Sequence, residues 1–335
     1  MHKGRKPLYI EYFNGERPTT TLLDQLQSEQ GARFLRKRNR NIIVEVSENE
    51  VLPEYDNFIW MTLGQLKRLI SYDNIVNMDT RTVISGIQFG TYDNQILEAF
   101  RASQKSDLGG KLNRQLQKSL LSVDSFLNSL NEIMSWITRL KSKYELNVRS
   151  IPLNSVKDWV YDGEMYKHKD KKYFSVIGVK VQIGNREVIN WNQPMIKPAQ
   201  EGVIAFIVKE ISGVYHFLVQ AKLEAGNLDI LELAPTVQCL TGNYRKGYNE
   251  YSVSFIDDVL SASKEQIWYS AHQSEEGGRF YKEQNQNMII EAKSDFPVEV
   301  PENYCWMTLN QLLTFVKFNN YLNVEARSLL SAVII

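Results

Sequence analysis

Apolar and polar positions alternate with period two along several stretches of the C-terminal half, the pattern of strands with one packed face. Residues 173–181 are alternating and β-branched, and residues 214–222 place His216, Leu218, Gln220 and Lys222 on one face. Tyr215, Phe217, Val219 and Ala221 take the other face. Residues 203–208 form a continuous apolar run of strand length, and residues 267–272 and 288–291 also read as strands. Gly184-Asn185 and Ser212-Gly213 supply hairpin turns. Helices show a different signature. Thr62-Leu63-Gly64-Gln65 and Thr308-Leu309-Asn310-Gln311 are capping boxes, each opening a short amphipathic run over residues 66–70 and 312–316. Residues 104–111 are polar and read as a loop. Leu116, Leu120, Val123, Leu127, Leu130, Met134 and Ile137 then recur every three or four residues as one apolar helix face. That face either packs on the chain's own domains or forms a dimer seam. The sum is a mixed sheet with a few helices, an α+β fold.

The chain also repeats itself. Gln27-Ser28-Glu29-Gln30-Gly31-Ala32-Arg33-Phe34 returns as Gln273-Ser274-Glu275-Glu276-Gly277-Gly278-Arg279-Phe280, an offset of 246 residues. Trp60-Met61-Thr62-Leu63 returns as Trp306-Met307-Thr308-Leu309 at the same offset, as do Asn77 and Arg81 in Asn323 and Arg327. The register predicts a duplicated unit: a first repeat over 1–87, a helical linker over 88–150 and a second repeat over 151–335. About ninety residues that precede the shared segment in the second repeat have no counterpart ahead of Gln27, so either the chain is a fragment or mis-started, or the first repeat is natively truncated.

Composition narrows the function classes. Lys+Arg 39 against Asp+Glu 39 leaves no basic excess for a nucleic-acid partner. Two cysteines, Cys239 and Cys305, cannot build a disulfide framework, and the four histidines make no zinc-type spacing. No stretch reaches membrane-spanning length, and the basic N-terminus has no apolar segment behind it, so a cytoplasmic protein is expected.

Three segments carry candidate chemistry. The polar face of the 214–222 strand offers Lys222, with His216 as either a site residue or a hydrogen-bonded structural histidine. Thr241-Gly242-Asn243-Tyr244-Arg245-Lys246 suits a phosphate, with backbone N–H groups, a hydroxyl and a guanidinium, or is a solvated turn. Ser274-Glu275-Glu276-Gly277-Gly278-Arg279-Phe280-Tyr281 suits a charged, ring-containing ligand, with Arg279 on a phosphate and a base on Phe280 or Tyr281. Its alternative is an exposed turn. The first repeat keeps Ser28 and Arg33 in the matching loop. Trp191, before Pro194, is a stacking residue or core, and Arg81 and Arg327 read as structural ion pairs.

In order and spacing, the segments from Trp191-Asn192-Gln193-Pro194 through residues 216–222, 232–238 and 273–281 to residues 306–309 and 323–330 resemble the NDP-hexose 2,3-dehydratases of deoxysugar biosynthesis. The resemblance implies duplicated Nudix-like domains, a homodimer, and a dTDP-4-keto-6-deoxyhexose substrate dehydrated across C2 and C3. It implies no cofactor and no metal, and an unstable product passed to a separate 3-ketoreductase. It assigns sugar-nucleotide binding to Trp191, Asn243, Tyr244, Arg245, Ser274, Glu275, Glu276, Arg279 and Phe280, with Ser28 and Arg33 as their first-repeat counterparts. Tyr244 and Glu275 are the candidate bases, and Lys222 or Arg279 the enolate stabiliser. Glu275-Glu276-Gly277-Gly278 resembles only the tail of the Nudix signature, so diphosphate hydrolysis is not expected. The remaining alternative is a truncated, non-catalytic sugar-nucleotide binder.

Overall fold

The structure is a computed structural model of the chain and describes residues 6–87, 110–121, 126–184, 188–240 and 253–333. In chain order its elements are strands β1 (Thr20–Ser28) and β2 (Arg38–Glu45) and helices α1 (Leu63–Ile70), α2 (Met78–Ile84), α3 (Gly110–Leu121) and α4 (Leu130–Lys143). Strands β3 (Trp159–Tyr161), β4 (Tyr166–His168), β5 (Phe174–Gln182), β6 (Asn190–Pro198), β7 (Gly202–Ile211), β8 (Val214–Lys222), β9 (Glu232–Ala234) and β10 (Val237–Cys239) follow. The chain continues through α5 (Ile256–Leu260), β11 (Ile267–Ser274), β12 (Gln284–Glu291), β13 (Tyr304–Thr308), α6 (Leu309–Val316) and α7 (Val324–Ser331).

The apolar run becomes β7, the centre of a seven-stranded sheet of order β11-β12-β7-β8-β13, with β9 and β10 paired on β8 and β7. Its partner β12 runs parallel, whereas β8 returns antiparallel through Ser212-Gly213, both at positive φ as a tight hairpin requires. A strand buried on both faces has no need of polar alternation, which is why the run is continuous. Ile204, Phe206 and Val208 pack into one core with Tyr215, Phe217, Val219, Cys305 and Met307. Val203, Ala205 and Ile207 pack into the other, with Leu218, Tyr304 and Trp306.

The linker covers the first of these cores. Leu116, Leu120, Ile133, Ile137 and Leu140 are buried against the β8 face, so the apolar stripe serves the chain's own core. It is not one helix, however. Ser129 caps α4 by accepting the Glu132 N–H at 3.2 Å, while Glu132 accepts the Ser129 N–H at 2.7 Å, and this capping box restarts the helix in a new phase. Leu127 and Leu130, expected on the apolar face, are 42% and 39% exposed as a result. Of the expected loop, Gly110 and Lys111 belong to α3, and residues 104–109 and Val123 lie outside the described residues. Asn185 of the other expected turn also lies outside them.

Elements of the N-terminal segment match C-terminal ones at the 246-residue offset. β2 corresponds to β12, and α1 to α6, end for end, each helix opened by its predicted capping box. A register shift between Thr21 and Leu23 in β1 recurs between Ile267 and Tyr269 in β11. The corresponding elements also hold each other reciprocally. Gln273 Nε2 donates to Ile70 O at 2.7 Å, and Gln27 Nε2 donates to Val316 O at 3.0 Å. His272 N donates to Asp73 Oδ1 at 2.8 Å, and Leu26 N to Asn319 Oδ1 at 3.1 Å. Arg81 Nη2 reaches Ser274 O at 2.8 Å, and Arg327 Nη2 reaches Ser28 O. Their Nη1 groups bond Val76 O and Leu322 O. Both arginines are therefore structural, as expected, but they bond carbonyl oxygens, and neither forms an ion pair with a carboxylate among the described residues. A guanidinium, with five donors in a planar fork, can serve two carbonyls at once in a dry interior.

The correspondence breaks at β13. Tyr304, Cys305, Trp306 and Met307 pair beside β8 and are buried, whereas Phe58, Ile59, Trp60 and Met61 have no described strand beside them and are 49%, 78%, 79% and 42% exposed. The same local sequence thus meets two environments. Trp306→Ala is expected to cost about 3–5 kcal/mol in urea unfolding. Trp60→Ala should stay within about 0.5 kcal/mol; equal costs would contradict the structure. Arg327→Met, which leaves the Ser28 and Leu322 carbonyls unpaired, should lose about 3 kcal/mol by the same assay. Arg40→Met, at an exposed pair with Asp24, should leave the midpoint unchanged.

Candidate active site

Where the β1–β2 hairpin leans on the main sheet, polar side chains are buried out of proportion to the hydrogen bonds available to them. Lys222, at the end of β8, is the register partner of Glu232 on β9. Its Nζ donates to Gln238 O at 3.2 Å, and Gln238 Nε2 donates to Glu224 Oε1 at 3.0 Å. Asn323, the N-cap of α7, donates to Gln238 Oε1 at 2.6 Å. From the first hairpin, Ser28 Oγ donates to Glu232 Oε2 at 2.7 Å. On β12, Asn285 Nδ2 donates to Glu275 Oε1 at 2.7 Å. The loop after β1 closes onto the loop after β8 through Gly226 N to Gly31 O and Arg36 N to Gly226 O, both 2.8 Å. A Cβ on Gly226 would come within 1.8 Å of Phe34 O, so glycine is required there.

Several carboxyl oxygens in this seam have no hydrogen-bond partner among the described residues: Glu232 Oε1, Glu275 Oε2 and both oxygens of Glu283 and Glu325. The Arg327 Nε and the Arg33 Nε and Nη2 are likewise unpartnered. Burial without compensation favours the neutral acid. It pushes Glu232 up to about 7, although the Ser28 bond and the Arg327 charge pull it down. Burial and the Glu275 charge push Glu283 up to about 8. Glu275 is raised by burial against the opposing pull of Arg81, and Glu325 is raised by burial and by the Glu224 and Glu275 charges. Burial lowers Arg327 to about 10. The seam therefore holds carboxyl groups able to give or take protons near neutrality beside Lys222 and three arginines. Proton abstraction beside a carbonyl, with loss of a neighbouring hydroxyl, needs that combination. Among the described residues no group of three or more His, Cys, Asp or Glu side chains is arranged to hold a metal ion.

The sequence-predicted residues fall into three sets. Lys222, Glu275, Ser28 and Arg33 belong to the seam; Glu275 and Glu224 both feel the Arg33 charge. Ser274 supplies the carbonyl that Arg81 grips. A second set sits at the outer rim. Arg279 pairs with Glu276 at 3.1 Å and lies 5.0 Å over the Phe34 ring. Trp191 on β6 donates to Gln193 Oε1 at 2.6 Å, and Gln193 Nε2 donates to Gly278 O at 2.6 Å, so the four-stranded β3–β6 sheet brings Trp191 to this loop. Phe280 is 3% exposed and edge-on to Phe34 at 5.6 Å, so its ring packs inside the protein and offers no open face for a base. The third set, Asn243, Tyr244 and Arg245, lies outside the described residues. His216 is a structural histidine: Nε2 accepts the Leu127 N–H at 3.0 Å, which leaves the proton on Nδ1 for Val214 O at 2.9 Å. Sequence reasoning did not single out Glu224, Glu232, Glu283 or Glu325 as site residues. The available signal was an acid inside an apolar run, as in Leu231-Glu232-Leu233.

A cavity of about 260 Å³ between α4 and β13, lined by Trp136, Arg139, Tyr304 and Trp306 among others, contains none of these residues. It is therefore separate from the seam.

Comparison with known proteins places the chain in a family. Residues 1–87 and 130–333 match the family described as NDP-hexose 2,3-dehydratase. A dTDP-4-dehydro-6-deoxy-alpha-D-glucopyranose 2,3-dehydratase of Saccharopolyspora spinosa is 44% identical over 331 residues, 99% of this chain and 66% of the relative. Proteins of the same name from Amycolatopsis orientalis and Streptomyces violaceoruber are 37% and 39% identical over 99% of this chain, covering 63% and 70% of their own lengths. The chain thus spans about two thirds of the relatives it matches. Among solved structures, a Caenorhabditis elegans Ap4A hydrolase aligns with 35% of this chain and 88% of its own at 12% identity and a TM-score of 0.22, too low to carry a fold argument. The match over both the N-terminal hairpin and the main sheet means that the chain belongs to the NDP-hexose 2,3-dehydratase family.

Proposed function

We propose that this protein removes water across C2 and C3 of dTDP-4-keto-6-deoxyglucose, giving a 3,4-diketo-2,6-dideoxy sugar for deoxysugar biosynthesis. The observation that carries this reading is the seam itself, where Lys222 and buried carboxyl groups meet between the hairpin and the sheet. The C4 ketone acidifies C3–H, a base removes that proton, and the C2 hydroxyl departs with a proton from an acid. An ammonium or guanidinium near the C4 oxygen stabilises the enolate, the role given to Lys222 or Arg279. Glu275 and Tyr244 remain the candidate bases. Trp191, Arg279 and Glu276 at the rim, with Asn243 and Arg245, are assigned to the nucleotide, and Ser28 and Arg33 to the first-repeat side.

The 246-residue correspondence, down to a shared register shift in β1 and β11, supports a duplicated Nudix-like unit. On that reading residues 1–87 belong to a first repeat, 88–150 form a helical linker and 151–335 the second repeat. A cytoplasmic homodimer that hands its product to a 3-ketoreductase completes the proposal.

Incubation with dTDP-4-keto-6-deoxyglucose, followed by loss of the C2 hydroxyl with and without EDTA, tests the reading. Turnover unaffected by EDTA is expected, whereas EDTA-sensitive release of nucleoside monophosphate would show a hydrolase instead. Lys222→Met should lower kcat by about 100-fold or more if its ammonium faces the developing enolate.

A further inference from the structure

The seam contains a pair of side chains that the residue assignments above do not use catalytically. Ser28 comes from the first hairpin and Glu232 from the main sheet, 204 positions apart in sequence, and their 2.7 Å hydrogen bond is buried. Glu232 is 3% exposed and Ser28 6% exposed. Only one carboxyl oxygen of Glu232 is used by that bond, since Oε1 has no hydrogen-bond partner among the described residues. Ser28 is itself held from behind, because Arg327 on α7 grips its carbonyl oxygen while bonding Leu322 O. The charged groups around Glu232 come from every side: Lys222 opposite it on β8, Glu224 after β8, Arg327 on α7 and Lys141 on α4. A carboxyl held on one oxygen, with the other buried and unpartnered, keeps one oxygen free to carry a transferable proton.

We propose that Glu232 is the general acid for departure of the C2 hydroxyl, with Ser28 and Arg327 as positioning residues, so that the second repeat's site is completed by the first repeat's hairpin. This rests on the dehydratase reading. In the step, a base takes the C3 proton and the electron pair is held as the C4 enolate. The pair returns to form the C2=C3 bond as the C2–O bond breaks, and the Glu232 carboxyl gives its proton to the departing oxygen, which leaves as water. The C3 enol then becomes the ketone by moving its proton to C2, and solvent carries the base's proton back to the Glu232 carboxylate. No oxidant or reductant is consumed.

An acid that titrates at about 7 makes kcat/KM fall as pH rises above neutrality. Ser28 stabilises the carboxylate by donating to it, so its removal raises the pH at which Glu232 loses its proton. The test measures pH–rate profiles on dTDP-4-keto-6-deoxyglucose and dTDP affinity by calorimetry for the full chain, Glu232→Gln and Ser28→Ala. Expected are an alkaline limb in the parent, a kcat lower by about 100-fold or more with dTDP affinity kept in Glu232→Gln, and a limb moved to higher pH in Ser28→Ala. Circular dichroism confirms folding, and the milder Ser28→Ala reports through the limb position even if Glu232→Gln is unstable. Parent turnover with an unmoved limb in Ser28→Ala, or with full rate in Glu232→Gln, overturns this assignment and leaves the dehydratase reading standing. No turnover by the parent overturns both.

Discussion

The guanidinium groups of Arg81 and Arg327 tie each end of the chain to the other by donating to carbonyl oxygens across the seam, and the seam's geometry depends on that exchange. Each arginine bonds one carbonyl near its own helix, Val76 O or Leu322 O, and one on the opposite strand, Ser274 O or Ser28 O. A buried guanidinium is costly unless its donors are used, so the clasp forms only when both strands are in register. The two glutamines that cross the same boundary, Gln27 to Val316 and Gln273 to Ile70, impose the same condition on the helix ends. The N-terminal segment is held by these bonds together with the apolar cluster of Ile70, Val76, Ile84 and Ala332.

That constraint explains how carboxyl groups come to be buried in number. Glu232, Glu275, Glu283 and Glu325 are each 4% exposed or less, and burial outweighs the neighbouring positive charges in every one of them. A fold selected for stability alone would place apolar groups of similar volume there. These acids with unpartnered oxygens are buried beside Ser28 and Glu275, two of the residues proposed above to bind the sugar nucleotide.

Local chain and tertiary context part company most clearly between Trp60 and Trp306. Both stand before a Thr-Leu pair that opens a capped helix, and both helices form as the capping boxes dictate. One tryptophan sits in a strand paired with β8 and packs into the core with Ile256, Val259 and Phe296. The other is open, because that cover comes from elements remote in sequence from the helix cap. The Ser129–Glu132 cap makes the complementary point, since three residues of local chemistry were enough to break the apparent linker helix in two.

The sequence by itself determined the β7–β8 hairpin, whose strand length, apolar run and Ser212-Gly213 turn are all local. It also determined the capped helices and the 246-residue correspondence, because hydrogen bonds within three or four positions and an ungapped register need no third dimension. It brought Lys222, Glu275, Ser28 and Arg33 forward from three segments distant in sequence. It could not bring Ser28 to Glu232, turn Phe280 inward onto Phe34, or convert Arg81 and Arg327 from ion-pair partners into carbonyl clasps. Those outcomes depend on which groups lose water together when the two ends of the chain meet, and desolvation is a property of the packed neighbourhood, which residue type and spacing along the chain do not specify.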